Sequence, residues 1–220
     1  MHQPEDLDAV RASYDRVANT YARMVPALLG KDPWQRAALN AFAEEVGGLG
    51  PVLDVGCGPG HVSAHLAARG LEVRGVDLSP QMVEHARRAH PHLDFRVASA
   101  TALDLTPASL GGVLGWWSLF NLPRDVLPDV LAGFAQALVP GGRVLIATHV
   151  GEEDVLRREA YGGIPVTWTT HRWLPDQLTD LLEGAGLEVT AEVRFPATDQ
   201  QSPAVVLAAC RPGGTTARQQ

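Results

Sequence analysis

Residues 53–60 read Leu53-Asp54-Val55-Gly56-Cys57-Gly58-Pro59-Gly60, and a second apolar run, Val73-Arg74-Gly75-Val76-Asp77, closes on an acid. An apolar strand running into a glycine turn, then a helical segment, then a second strand ending in a carboxylate is a nucleotide-binding arrangement. The glycines let the backbone pass close to a ligand without a side chain in the way. The acid stands about 20 residues past the turn, where a carboxylate accepts hydrogen bonds from ribose hydroxyls.

The glycine spacing narrows the reading. A dinucleotide fingerprint wants Gly-x-Gly-x-x-Gly at a helix mouth, where the helix N-terminus receives a pyrophosphate. Here His61 holds the place of the third fingerprint glycine. The shorter pattern, with Asp54 before it, resembles motif I of the class I S-adenosylmethionine-dependent methyltransferases. Asp77-Leu78-Ser79-Pro80-Gln81-Met82 is similar to that family's next motif, an acid followed by a Ser-Pro helix start. Tyr14-Asp15-Arg16-Val17-Ala18 with Tyr21 resembles its N-terminal lid, and tyrosines seven apart share one helix face. The resemblance covers nearly the whole chain and is nearest to bacterial small-molecule and natural-product methyltransferases.

That resemblance implies S-adenosylmethionine as cofactor and S-adenosylhomocysteine as product. It implies a cofactor site made by Gly56, Cys57 and Gly58 of the turn, with Asp54 just inside the strand end ordering the turn or reaching the cofactor's ammonium through water. Asp77 is the ribose acceptor, and Leu78 and Met82 pack on the adenine. The stretch Ala98 to Asp104 wraps the adenine, but Ser99 and Thr101 stand where the family often carries an acid. Ser99, Ala100 or Thr101 then serves the exocyclic amine, with Asp104 behind them. In Gly115-Trp116-Trp117-Ser118-Leu119-Phe120-Asn121, Trp116 or Trp117 faces the sulfonium in a cation–π contact, and strand alternation assigns the other to the core. Tyr14 and Tyr21 close over the cofactor.

Elsewhere strands and helices alternate. An amphipathic helical segment runs from Leu7 to Leu29 and a second helix from Pro33 to Val46. Strands read at Val52–Val55, Val73–Asp77, Phe95–Ala98, Gly112–Trp117 and Arg143–Thr148. Helices read at His61–Ala68, Pro80–Ala89, Leu127–Leu138 and Pro175–Ala185, with Ser79-Pro80 and Pro175 as starts and Gly70, Gly141 and Gly186 as stops. Two more strands, Leu187–Phe195 and Ala204–Cys210, are joined by a loop with no helical signal, which predicts an antiparallel hairpin. The expected fold is α/β and Rossmann-like, a mostly parallel seven-stranded sheet with an antiparallel last strand and helices on both faces. One methyltransferase domain is expected over 1–212. It comprises a helical lid at 1–48, a mobile lid insert at 151–172 whose glycine pair lies among Tyr161, Trp168, His171 and Trp173, and a disordered tail at 213–220.

Composition excludes other classes. The chain has 220 residues, a net charge of −7 and no Lys/Arg cluster beyond short pairs, which argues against a nucleic-acid partner. Cys57 and Cys210 are the cysteines, so a disulfide framework is not expected and a reducing, cytoplasmic compartment is. The segment Met1 to Val10 is polar and acidic, unlike a signal peptide, and no apolar run reaches membrane-spanning length. The expected partner is a small-molecule acceptor, with the protein a monomer or homodimer.

Methyl transfer from a sulfonium asks the protein to align a nucleophile and exclude water, and a base is needed only if the acceptor must lose a proton. His149 and His171 are the candidate bases. His61 and His65 share a helix face but lack a third ligand, so no metal is expected. The rival readings are a nicotinamide-dependent oxidoreductase and a protein of this fold that keeps the cofactor pocket for other chemistry, such as cyclisation.

Overall fold

The computed structural model describes residues 5–198 and 201–213; most of the tail expected at 213–220 lies outside the described residues. The helices are α1 (Glu5–Met24), α2 (Pro26–Lys31), α3 (Pro33–Val46), α4 (His61–Ala67), α5 (Pro80–Ala89), α6 (Leu127–Ala137) and α7 (Pro175–Gly184). The strands are β1 (Val52–Val55), β2 (Val73–Asp77), β3 (Asp94–Val97), β4 (Leu110–Trp116), β5 (Leu138–His149), β6 (Val155–Ala160), β7 (Ile164–Thr170), β8 (Glu188–Phe195) and β9 (Ala204–Cys210).

Seven strands form one sheet in the order β3-β2-β1-β4-β5-β9-β8. β1 pairs in parallel with both β2 and β4, and β4 with β5; β9 runs antiparallel to β5 and to β8. The expected sheet and its antiparallel last strand are therefore present. The chain reverses its direction of travel across the sheet beside β1. A crevice opens there at the strand carboxyl ends, and open α/β sheets bind ligands at this point.

Alternation sorts the two faces. Leu53 and Val55 of β1 join Val113, Ile146 and Leu207 under α6 and α7, whose Leu131, Phe134 and Leu182 are buried. Val52 of β1 turns to the opposite face, with Leu114 and Leu145 under Leu39, Phe42 and Leu66 of α3 and α4. Full burial of each such side chain contributes about 1.5–3 kcal/mol.

Two local readings need correction, and the insert takes a definite form. The amphipathic segment expected from Leu7 to Leu29 breaks into α1 and α2, with a bend at Val25 and Pro26 opening α2. Leu138 is extended rather than helical and pairs with Leu110, so β5 begins five residues earlier than its apolar core suggests. The insert is a β-hairpin: β6 and β7 pair antiparallel, and Tyr161, Gly162 and Gly163 turn the corner with φ of 49°, 89° and 85°. The glycine pair supplies the turn of this hairpin.

Candidate active site

The floor of the crevice is built by the turn after β1. Gly56 has φ of 77°, and a Cβ there would stand 2.2 Å from Ser118 Cβ, so only glycine lets the ends of β1 and β4 meet. Ser118 Oγ closes that junction by donating to the Val55 carbonyl at 2.5 Å. Gly60, at φ 79°, lies against Phe95 and opens α4.

Asp77 ends β2 directly across the turn. Its Oδ2 accepts from the Gly58 N–H at 2.8 Å and its Oδ1 from the Ser79 N–H at 2.8 Å. The Leu78 N–H also bears on this carboxylate, and with about four acceptor positions it still has capacity for a ligand hydroxyl. Burial raises its pKa to about 6, against the pull of these backbone donors. Ser79 caps α5 by accepting from the Met82 N–H, and donates to Asp15 Oδ1 at 2.5 Å; Asp15 also accepts from the Gln81 N–H. α1 is thereby tied to the N-terminus of α5, where a carboxylate meets the positive end of the helix dipole.

The roof is α1 together with the β6–β7 hairpin. Ser13 Oγ accepts from the Thr167 N–H at 2.9 Å and donates to the Thr167 carbonyl at 3.2 Å, and Arg16 donates to the Pro165 carbonyl at 2.6 Å. Tyr14 stacks on Trp168 with centroids 4.8 Å apart and planes at 10°. Tyr21 meets Tyr14 and Tyr161 edge-on, at 6.5 and 5.2 Å. Burial raises the pKa of both Tyr14 and Tyr21, so both stay protonated.

Between floor and roof lies a cleft of about 650 Å³, open space at its mouth included. Leu7, Val10, Tyr14 and Tyr21 of α1 line it from above. Gly56, Gly58, Asp77, Leu78, Met82, Ser99 and Ala100 line it from below, and Trp117, Ser118, Leu119 and Asn121 close its side. Asp77 is the charged residue of this lining, which holds no Lys or Arg.

A family model described as a methyltransferase domain matches residues 52–142, from β1 into β5. A malonyl-[acyl-carrier protein] O-methyltransferase of Enterobacter lignolyticus is 30% identical over 184 residues, covering 80% of this chain and 68% of that protein. The chain belongs to the S-adenosylmethionine-dependent methyltransferases. A demethylmenaquinone methyltransferase of Beutenbergia cavernae is 36% identical over 148 residues, or 65% of this methyltransferase and 59% of the relative. The Burkholderia thailandensis 1,6-didemethyltoxoflavin-N1-methyltransferase, solved with bound 1,6-didemethyltoxoflavin and S-adenosylhomocysteine, superposes with a TM-score of 0.68 at 22% identity. The match covers 96% of this chain and 92% of that one.

The methyltransferase's cofactor is S-adenosylmethionine, and the cleft fits it. A pyrophosphate would meet no cation in the lining, whereas a sulfonium and an ammonium meet Asp77, aromatic rings and neutral oxygens. Asp77, in the lining, keeps acceptor capacity of the kind a ribose diol uses.

Of the residues expected to bind the cofactor, the cleft brings together Tyr14, Tyr21, Gly56, Gly58, Asp77, Leu78, Met82, Ser99 and Ala100. The others stand elsewhere. Cys57 packs its thiol with Val83, Ala86 and Phe95, away from the cleft. Thr101 bonds its hydroxyl to that of Ser99 at 2.8 Å and supports Ser99 from outside the lining. Trp116 is buried on the α3–α4 face, and Trp117 is the ring that lines the cleft. Trp117 adopts φ of 54°, strained for a side-chain-bearing residue, and donates from Nε1 to Gln35 Oε1 at 3.1 Å. Asp54 lies on the far side of β1, outside the cleft lining, where its Oδ2 accepts from Ser63 Oγ at 2.6 Å and pins α4.

Burial raises the Asp54 pKa to about 7. The folded state therefore favours the protonated acid, and this group's contribution to stability declines as pH rises from about 4 to about 7. Asp54→Asn keeps an acceptor for Ser63 without the charge. Its stability relative to wild type should rise across that pH window in denaturant titrations; a difference independent of pH would show that Asp54 titrates normally.

Neither candidate base lines the cleft. His149 stands behind it, its ring 5.0 Å from those of Trp117 and Phe120, with Nδ1 buried and unpartnered. Burial, with Arg157 and Arg172, lowers its pKa to about 4, so it is neutral at physiological pH. His171 is held at the hairpin base: Nδ1 lies 2.7 Å from Asp154 Oδ2, and its N–H donates to the Phe120 carbonyl at 2.8 Å. Asp154 also binds Arg124, which lies 4.3 Å over the Trp173 ring. Arg124 and His171 hold the Asp154 pKa at about 2, outweighing its partial burial. Among the described residues no cluster could hold a metal, and no helix is long and apolar enough to cross a membrane.

Proposed function

We propose that the enzyme binds S-adenosylmethionine in this cleft, ribose on Asp77, and transfers its methyl group to an oxygen or nitrogen of a small, partly apolar or aromatic acceptor beneath the α1–hairpin roof. Sulfur and carbon acceptors rank behind these. The observation that carries the reading is the aromatic cover: Tyr14 and Tyr21 line the cleft, backed by Trp168 and Tyr161, and the charge of the lining is Asp77 alone. A highly charged acceptor would lose its hydration there without gaining an ion pair.

The cofactor supplies the activated methyl group on its sulfonium. The chain's own residues bind, orient and exclude water. Asp77 fixes the ribose, Trp117 presents a ring to the positive sulfur, and the aromatic roof keeps solvent off the line of displacement. A lining without a neutral imidazole suits an acceptor that needs little help in losing its proton.

Formation of S-adenosylhomocysteine across a panel of phenols, alcohols and amines tests this reading. Turnover on at least one class supports it. S-adenosylmethionine binding with silence on every acceptor would favour a non-methylating role such as cyclisation. NAD binding in place of S-adenosylmethionine would favour an oxidoreductase.

His149 is assigned as a positioning residue that backs Trp117. His149→Ala should lower kcat on the best acceptor severalfold, with cofactor affinity within about twofold of wild type. Because His149 is neutral above about pH 4, its loss should remove no inflection near pH 6–7 from the rate profile. Unchanged kcat would remove His149 from the machinery; loss of a near-neutral inflection would make it a base instead.

A further inference from the structure

Arg157 lies on β6 in register with Trp168 of β7. Residues paired across an antiparallel ladder share a face, so Arg157 stands on the side of the hairpin that presents Trp168 to Tyr14. It is half-buried, while its neighbours Leu156 and Arg158 are exposed on the other face. The other cations of the roof are tied down: Arg16 to the Pro165 carbonyl, Arg124 to Asp154 and Arg172 to the Glu153 carbonyl. The Arg157 guanidinium forms no hydrogen bond or ion pair with the described residues.

Its charge acts on two groups. Burial raises the Tyr161 pKa to about 12 and Arg157 pulls against it; burial lowers that of His149 and Arg157 adds to the effect. Tyr161 meets Tyr21 edge-on and His149 lies against Trp117, and both Tyr21 and Trp117 line the cleft. The guanidinium therefore stands beside the cleft, outside its lining and behind two of its rings.

A half-buried guanidinium without a partner has lost hydration, and an anion gripped by its planar fork restores the loss. The lining itself offers an anion only Asp77, so a negative charge on the acceptor must stay outside it. One cation offsets one charge; a carboxylate carries one, and a phosphate ester about 1.5–2. Resting on the proposed function, we infer that the acceptor carries a single carboxylate, which Arg157 binds at the rim while the apolar part bearing the methyl-accepting atom enters beneath the roof. Arg157 is then a specificity-determining residue and the carboxylate a handle. The acceptor's oxygen or nitrogen lone pair forms the new bond to the methyl carbon, the carbon–sulfur bond breaks with its electrons left on sulfur, the acceptor's proton passes to solvent, and the carboxylate is unchanged.

Hydroxybenzoates and aminobenzoates, each matched with its uncharged benzamide, test this, with S-adenosylhomocysteine formation as the readout. Wild type should turn over the best acid with kcat/KM about tenfold or more above its amide. Arg157→Gln should remove that preference, lowering kcat/KM for the acid about tenfold or more and leaving the amide within about twofold. Arg157→Lys keeps the charge without the fork and should retain part of the preference. Arg158→Gln, on the exposed face, should match wild type on both.

Equal kcat/KM for acid and amide in wild type would overturn the inference, as would an equal loss on both in Arg157→Gln, which would make the residue structural. A methyl group found on the carboxylate would overturn its role as a handle. Silence on the benzoates with turnover of uncharged phenols or amines would overturn the inference too. Silence on every acceptor would overturn the proposed function instead, which keeps the two failures apart.

Discussion

Asp77→Ala should weaken S-adenosylmethionine binding by about 1.5–3 kcal/mol, the scale of hydrogen bonds to a charged group. The carboxylate already organises the floor by accepting from Gly58 and Ser79, so its removal costs the ligand twice. The ribose loses its acceptor, and the Gly58 N–H loses the partner that fixes the turn. Wild-type affinity should also fall as pH is lowered through about 6, where the buried carboxyl gains a proton, and the variant should lack that dependence. Titration calorimetry at pH 5 and pH 8 checks both points. Equal affinity in wild type and variant would take Asp77 out of the site.

Gly56→Ala should be more damaging still. A left-handed conformation costs a side-chain-bearing residue about 1–2 kcal/mol. Here the new methyl group also stands 2.2 Å from Ser118 Cβ, so β4 must move away from β1 at the point where they form the cleft. Ser118 then loses the Val55 carbonyl to which it donates. The expected result is a loss of about 3 kcal/mol or more of folding stability, together with loss of measurable cofactor binding. Chemical denaturation followed by titration with S-adenosylhomocysteine would show both. Wild-type stability in this variant would mean that the β1–β4 junction relaxes freely, against the close packing described above. The two variants separate two roles of the same turn, since Asp77→Ala spares the fold and Gly56→Ala does not.

The floor was legible in the sequence because its parts are close along the chain and carry strong local rules. Gly56, Gly58 and Asp77 sit in one strand–turn–helix–strand unit, and their conformational and charge requirements restrict the residues that serve there. Alternation along β1 also places Asp54: Val55 lines the cleft, so its neighbour turns to the other side of the strand. The same rule separates Trp116 from Trp117: Trp116 shares the α3–α4 face with Leu114, and Trp117, where the chain leaves the extended region, lines the cleft.

The roof was legible only in outline. Ser13 and Thr167 are 154 residues apart, and nothing in the local pattern of either announces the other. The hairpin was hidden because its glycine pair carries the same signature as a flexible loop.

The clamp between α1 and the hairpin bears on how this enzyme is retargeted. The floor comes from one continuous stretch, while the ceiling is assembled from two distant ones that share Ser13, Arg16 and the Tyr14–Trp168 stack. A hairpin transplanted alone from a relative with another acceptor leaves those partners of α1 facing a foreign surface. The transferable module is therefore α1 and hairpin together.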